Sequence, residues 1–511
     1  MEENTLSSNL ERIRNATDDI RTTLDMPSAS IEELAEAVIV PPSGTIQINS
    51  NGLIDVSAYE YVNVSVGDLR EKDVNFYDYD GTLTNSYTKA DFLALESLPD
   101  NPTHSGLTSQ GWNWSLSDAK TYVTNYGKLN IGQMYITDNG ATRIYIHLEE
   151  GRTSPYCGFA VNGTATIAWG DGTTSTVTGT NNWTVINTQH NYSQPGDYVI
   201  SISSSSTIQL YGSNQYGSYV LWNNIDNVSG YYSTSNNIYQ NSIRKVELGN
   251  ALFYSSAFCN CYLLSSITIP RGVTSIDERA FYQCVSLSSV TIPSTSDRIG
   301  NIAFAACYSL SSVIIPNSVN YMDNDAFEGC TALSSITLPS ELTAIRPYMF
   351  YGCRSLSSVT IPSSITSTFN YIFEDCLSLS SITLPNSITS LGAGALRRCK
   401  ALSQVTIPNN MSSIPNMLFS ECSSLSSVTI PSSITSIGSD AFNCCYSVAY
   451  YDFSNHISIP TLSNINAFNE IPSDCKIIVP DSLYEDWIVA NNWSTYASYI
   501  IKASEWEGGN E

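Results

Sequence analysis

The feature that most narrows what this chain can fold into is a cysteine that returns every 23 residues, at Cys261, Cys284, Cys307, Cys330, Cys353, Cys376, Cys399, Cys422 and Cys445. A residue type at constant spacing marks a chain that repeats one coil, so each cysteine is expected to stack on that of the previous coil. The middle of the chain is therefore predicted to be a solenoid.

Between the cysteines the coil reads LxxVxI, for example Leu287, Val290 and Ile292, or Leu425, Val428 and Ile430. Side chains alternate along a strand, so these apolar residues face inward while Ser288, Ser289 and Thr291 face out. Pro270, Pro293, Pro316, Pro339, Pro362, Pro385, Pro408 and Pro431 then end each strand, because a proline cannot donate to the ladder beside it. Phe281, Phe304, Phe327, Phe350, Phe373, Phe419 and Phe442 keep the same period, and Leu396 alone departs from it.

This pattern resembles the leucine-rich repeat, and more narrowly its BspA-like variety, whose coils read LxxIxIPxxVxxIxxxAFxxC. The resemblance covers roughly residues 243 to 480. Ile243, Val246 and Leu248 look like a degenerate first coil, and Val448, Tyr451 and Phe453 like a last one, as expected of terminal coils. About nine stacked coils, with strands about 4.8 Å apart, give a rod of roughly 40 Å.

A regular cysteine column also invites a metal or disulfide reading. Stacked Cα atoms about 4.8 Å apart lie within disulfide reach, yet the side chains point in parallel into a closed core. Zinc needs converging pairs of ligands, and no coil offers a CxxC with a second pair nearby. The column is therefore read as buried, reduced thiols filling the gap beside each Phe, with Cys259/Cys261 and Cys444/Cys445 as the departures at its two ends. No metal and no cofactor is expected.

The chain has 511 residues and a net charge of −25 with only 14% charged residues, a surface that repels nucleic acid. Its 32 tyrosines among abundant Ser, Thr and Asn suit an extracellular recognition surface. The sequence as given begins MEENTLSSNLERIRNATDD, with no basic start followed by an apolar run, has no stretch of about 20 apolar residues, and closes on KASEWEGGNE. Membrane insertion is not expected. Extracellular-type modules without an export signal suggest another route out of the cell, such as release inside a virus particle.

Residues 1–41 are predicted to be helical. Leu6, Leu10, Ile13, Ala16, Ile20 and Leu24 form one apolar stripe, and Ser30 with Glu33 makes a capping box that opens a second helix. Such a pair serves either to dock or oligomerise the chain or to cap the next domain, and the segment resembles the start of several structural proteins of phages of gut bacteria. Residues 42–140 are expected to hold a β-hairpin module, with a turn at Asn51-Gly52, followed by a small α+β domain. The stretch from Gly44 to Val66 resembles a structural module of phage tail and gut-bacterial surface proteins. Asp78, Asp80, Gly81 and Thr82 imitate the DxDGT signature of haloacid-dehalogenase phosphatases, but the α/β context that a nucleophilic Asp and its magnesium need does not follow, so Asp80-Gly81 is read as a hairpin turn. One helix is predicted from Ser117 to Tyr126, capped by Ser115 or Ser117 and closed by Gly127.

Residues 141–205 turn to strands. Trp169, Gly170, Asp171 and Gly172, with His190, Tyr192, Pro195, Gly196, Asp197 and Tyr198, are similar to the PKD domain, which implies an immunoglobulin-like sandwich that acts as spacer or adhesion module. Asp171 is read as bracing its own turn, with calcium as the alternative. A Tyr-rich linker, 206–242, has rings either to stack on sugars or to pack the flanking domains together. Residues 481–511 form a helical cap and tail, in which Asp481 or Ser482 caps a helix that lays Leu483, Trp487 and Ile488 over the open coil edge.

The four histidines are scattered, and no Ser-His-Asp or Cys-His order and no phosphate loop stands out, so no enzyme is expected. The outward Ser/Thr rows are uniform and are read as a solvated strand surface. Variation sits in the other half of the coil, at Asp323, Asp325, Glu328, Arg346, Tyr348, Glu374, Asp375, Arg397, Arg398 and Lys400, the expected ligand-binding edge. The chain is thus read as a mainly β protein of about nine coils, preceded by a sandwich and a short helical segment, in a phage virion structural protein. As a tail or head fibre or decoration protein it would bind host cell-surface glycan, protein or mucus, and its N-terminal helices would contact other virion proteins, in a possible homotrimer. The alternatives are a bacterial cell-surface adhesin and a pure scaffold.

Overall fold

The computed structural model describes residues 72–151, 153–180, 186–210, 242–249 and 251–506, together with a short strand pair nearer the N-terminus. That pair is β1 (Ile39–Val40) and β2 (Glu60–Tyr61), which run antiparallel. The apolar stripe of Leu6, Leu10, Ile13, Ile20 and Leu24 and the turn at Asn51-Gly52 lie outside the described residues.

The first domain is α+β. Strands β3 (Val74–Tyr77), β4 (Leu83–Tyr87), β5 (Leu107–Trp112) and β6 (Leu129–Thr137) form one sheet in the order β4-β3-β6-β5, with β3 and β6 parallel. Asp80-Gly81 is the β3–β4 turn, where Asp80 Oδ1 accepts the Thr82 amide and Gly81 takes φ +88°. Helix α1 (Lys89–Ala94) is capped by Thr88, and α2 (Leu116–Tyr126) by Ser115, with Gly127 closing it as the sequence predicts. Phe76, Phe92, Trp112, Val123 and Ile131 form this domain's own core.

The second segment has two sheets. Strands β7 (Thr142–Leu148), β8 (Tyr156–Val161), β9 (Gly163–Ala168), β10 (Thr174–Gly179), β11 (Ile186–Gln189), β12 (Gly196–Ser204) and β13 (Ile208–Leu210) enclose Ile144, Phe159, Ile167, Trp169 and Ile202. The sheets do not end there. One continues through β14 (Ile243–Glu247) into β16 (Ser266–Thr268), and the other through β15 (Ala251–Phe253). The boundaries expected at 205 and 243 are therefore corrected: β13 is a strand rather than linker, and β7 pairs antiparallel with β14, the first coil. The reason is physical, since the first coil of a solenoid has an open edge of unpaired backbone groups and β7 satisfies it. The rest of the Tyr-rich stretch, 211–241, lies outside the described residues.

The solenoid runs for about 11 turns, more than the nine expected from the cysteines, because degenerate coils at both ends join the stack. Each coil supplies a short strand to a parallel row, as in Ser335–Thr337, Ser358–Thr360 and Ser381–Thr383, whose register advances by one repeat per coil. The proline that follows opens a turn, its carbonyl accepting the amide three residues on, as in Val319 to Pro316 and Leu342 to Pro339. A second row of two-residue strands follows, among them Arg298–Ile299, Tyr321–Met322 and Ala344–Ile345.

The third side carries the Phe and Cys columns. Each Phe amide donates to the next coil, Phe281 to Ala303 at 2.8 Å and Phe304 to Ala326 at 2.9 Å. The rings of Phe258, Phe281, Phe304, Phe327, Phe350 and Phe373 stack 5.2–5.8 Å apart. The column stops at Leu396 and resumes with Phe419, Phe442 and Phe468. Every described cysteine is a free thiol, and those of the column are buried. From Cys284 to Cys445 the thiols donate back to a carbonyl in the preceding coil, Cys284 to Phe258 and Cys307 to Phe281 at 3.1 Å, with Leu396 as the acceptor for Cys422. Burial pushes the Cys330 and Cys445 thiols up to about 12, so the column holds little thiolate at neutral pH and is chemically quiet.

The C-terminal cap differs from expectation. Residues 484–487 form a single helical turn after a 3-10 turn, and neither Asp481 nor Ser482 caps it. Asp481 Oδ1 instead accepts the Ser504 amide, and Ile500–Lys502 joins the ladder as a further parallel strand, so the tail continues the solenoid rather than only covering it. Trp487 and Trp493 are fully buried against Phe453. His456 is 4% exposed beside Phe453 and Trp487, and neither of its ring nitrogens has a hydrogen-bond partner.

Ordinary residues hold a left-handed conformation at recurring positions, including Gln283 at φ +59°, Ala306 at +58° and Asp375 at +61°, where Gly329 and Gly352 stand in the intervening coils. A non-glycine residue there costs roughly 1 kcal/mol or more. Ala306→Gly is expected to raise stability by up to about 1 kcal/mol and Gly329→Ala to lower it by a similar amount, read as opposite shifts of the urea midpoint. Burial holds the His456 pKa below its ordinary value, against a smaller opposing pull from the Phe453 and Ile434 backbone and Asp452. The unfolded chain then binds the extra proton, so this contribution is complete above the unfolded histidine value of about 6.5 and is lost as the pH falls through it. The protection factors of residues 450–506, exchange rates taken relative to the intrinsic rate at each pH, should fall between about pH 7 and pH 5, and His456→Leu should remove that dependence.

Candidate functional site

The Ser/Thr strand face is not uniformly solvated, which corrects the sequence reading. The sheet of the α+β domain lies over its first coils. Asn113 Nδ2 donates to the carbonyls of Ile292 and Ile314, and the Tyr122 hydroxyl donates to that of Leu338 at 2.7 Å. Gly132 of β6 sits so close to Thr291 that a Cβ there would collide with it. Thr268, Ser289 and Thr291 are buried as a result, whereas Ser335, Ser358, Ser381 and Thr383 are exposed. The exposed rows also bond to themselves. Ser311, Ser357 and Ser426 donate to the carbonyls of Ser288, Ser334 and Ser403 in the preceding coil, so the repeated serine has a structural role.

The variable edge divides into an aromatic part and a charged part. In the aromatic part, Tyr321 lies between two guanidinium groups, Arg298 and Arg346, each 5.0 Å from its ring centre. Arg346 reaches on to Phe369 at 5.5 Å, so two rings from different coils hold it. Asp323 takes Arg298 at 3.1 Å. Tyr348 stacks on Tyr371 at 5.3 Å, and Gly394 leaves room for the Tyr371 ring. Tyr348 and Phe369 are 39% and 40% exposed, which makes this the aromatic surface of the coil edge. Tyr321, Phe369 and Tyr371 were not singled out from sequence, although their offsets of 23 residues from Arg298, Arg346 and Tyr348 were the available signal.

The charged part is a closed network. Arg397 meets Glu374 at 2.9 Å and Glu421 at 3.2 Å, while Arg398 meets Asp375 at 3.1 Å and Glu421 at 3.4 Å. Glu374 and Asp375 are nearly buried, and burial outweighs the arginines at Glu374, whose pKa lies above its ordinary value. These residues staple three coils around Leu396, where the Phe column is broken. Their charges are paired with one another across the coils. Lys400 is exposed beside them. Asp325 and Glu328 are half-buried, and burial raises both pKa values, with Asp323 adding to the first and Asp325 to the second.

Two further carboxylates, Asp171 and Asp78, are paired within the fold. Asp171 accepts from Thr173 at 2.6 Å and meets His190 at 2.7 Å, and His190 stacks on Trp169. Burial opposes the Asp171 charge, yet these bonds hold its carboxyl at about 2, and its bonds to the Thr173 amide and hydroxyl brace its own turn. Asp78 is buried against His104 at 2.6 Å and is a clamp on the 95–106 segment. Among the described residues no group of His, Cys, Asp and Glu is arranged to hold a metal ion, and no helix is long and apolar enough to cross a membrane.

With this geometry in hand, the coils match the family model for the BspA type leucine-rich repeat region over residues 251–378 and 343–471. Over residues 251–471 the solenoid is similar to the BspA-type leucine-rich repeat. Among solved structures, it is similar to a leucine-rich cell surface protein of Faecalibacterium prausnitzii, 24% identical, covering 49% of this chain and 81% of that one with a TM-score of 0.32. A leucine-rich repeat protein of Bacteroides ovatus is 23% identical over 49% and 81%, with a TM-score of 0.34. One from T. pallidum is 26% identical over 40% and 83%, with a TM-score of 0.27. Among curated proteins none matches.

The coils should lose stability where the charged staple is cut. Arg397→Ala leaves the Glu374 carboxylate without its nearest partner, and because Arg397 is itself one-third exposed the expected loss is about 1–3 kcal/mol, below that of a fully buried pair. Combining it with Glu374→Gln should recover part of that loss, a coupling that a double-mutant cycle of urea midpoints measures.

Proposed function

We propose that this protein is a non-catalytic display scaffold for adhesion, borne on a phage particle, which binds host-surface or mucus glycan through the aromatic part of the solenoid edge. The observation that carries the reading is the arrangement of Arg346, Tyr321, Phe369, Tyr348 and Tyr371. Exposed rings offer a sugar large contact area at little entropic cost, and here they are set on a rigid ladder rather than on a loop. The continuous sheet between the two-sheet segment, which we read as a PKD-like spacer, and the solenoid supports the display role, because it fixes where that edge points.

The particle setting rests on the resemblance of residues 1–66 to phage structural modules, with the helical stripe as the contact to other virion proteins and a homotrimer as the expected assembly. A bacterial cell surface is the second setting, and it suits BspA-type repeats equally. Neither setting calls for nucleic-acid binding or membrane insertion. The full-length protein should be retained on an array of host-surface glycans and on host cells, and Tyr348→Ala combined with Phe369→Ala should reduce retention about tenfold with the melting temperature nearly unchanged. Equal retention of the double variant sinks the edge reading. Mass spectrometry of purified phage particles and of the bacterial surface fraction decides the setting, and deletion of residues 1–41 should abolish incorporation into particles.

A further inference from the structure

Arg346 differs from the other arginines of the edge. Arg298, Arg397 and Arg398 all have carboxylate partners. Among the described residues Arg346 has no ion pair and no side-chain hydrogen bond, and its guanidinium carbon lies over two rings, Tyr321 at 5.0 Å and Phe369 at 5.5 Å. Stacking of this kind fixes the plane of a guanidinium and leaves its N–H fork free, the geometry that accepts a carboxylate through two parallel hydrogen bonds. The side chain is only partly exposed, so a ligand that met it would do so in a medium of lower dielectric than water.

The surroundings narrow the ligand further. Two residues along the same two coils stand Tyr348 and Tyr371, a stacked aromatic pair beside the fork. The neighbouring carboxylates of Asp323, Glu374, Asp375 and Glu421 already have arginine partners, which lowers their repulsion of an anion at this point. The whole chain nevertheless carries −25, and that field repels a polyanion along its length. A single carboxylate on a ring with an apolar face satisfies all three conditions.

We propose that Arg346, clamped between Tyr321 and Phe369, anchors a site for a terminal sugar bearing one carboxylate, with Tyr348 and Tyr371 taking the rest of the glycan. This rests on the adhesion reading given above and names the ligand class of the same edge. The test uses the full-length protein with sialyllactose, its neutral parent lactose, and heparin as a sulfated polyanion, by isothermal titration. Sialyllactose should bind at least about tenfold more tightly than lactose, and heparin should not compete. Arg346→Met should remove the preference, and Arg346→Lys should restore only a minor part of it because an ammonium lacks the fork. Both variants should melt with the parent, and Arg271→Met, at an exposed arginine away from this edge, should bind as the parent does.

The proposal is overturned if lactose and sialyllactose bind alike, if Arg346→Met keeps the preference, or if heparin is the tightest ligand. Retention of neutral glycans on the array with no dependence on Arg346 leaves adhesion standing and removes this site. Failure of every glycan to bind removes both.

Discussion

The bond on which the structure depends is the one each Phe amide donates to the next coil. It lies on the side of the coil without regular strands, where the backbone twice enters the left-handed region with ordinary side chains. Such positions persist only when their surroundings over-determine them. Here a cross-coil amide bond, a stacked ring and a thiol-to-carbonyl bond converge on each turn. The cysteine is thus apolar enough for a dry core and still donates to a buried carbonyl; alanine lacks the donor, and serine lacks the apolar bulk. Where the ring is missing, at Leu396, ion pairs between coils take over.

The repeat was legible because its period is a direct image of the stacking. Leu287, Val290, Ile292 and Phe281 all face the core as the spacing requires. Covering of the strand face by the α+β domain was not legible from the period, because a domain that docks on a repeat leaves the repeat almost unchanged. It did leave one trace, at Ile314, where the neighbouring coils carry Thr291 and Thr337 and where the side chain is buried near Gly132. The merged sheet was missed for a different reason. Pairing of β7 with β14 joins segments far apart in sequence, and neither strand alone carries a mark of its partner.

The candidate edge shows the same division. Charged and aromatic residues that vary from coil to coil were visible in the sequence, but their partners were not. The acidic and basic residues near Leu396 are largely consumed by one another, while Arg346, which looks no different in sequence, is left with its fork open. Whether a charge is available depends on rotamer and neighbour, which spacing alone does not encode.

Strand β14 is bonded on one side to β7 and on the other to β16. A pull exerted on the solenoid while the two-sheet segment is held therefore loads a ladder of backbone hydrogen bonds together, rather than a connecting peptide one bond at a time.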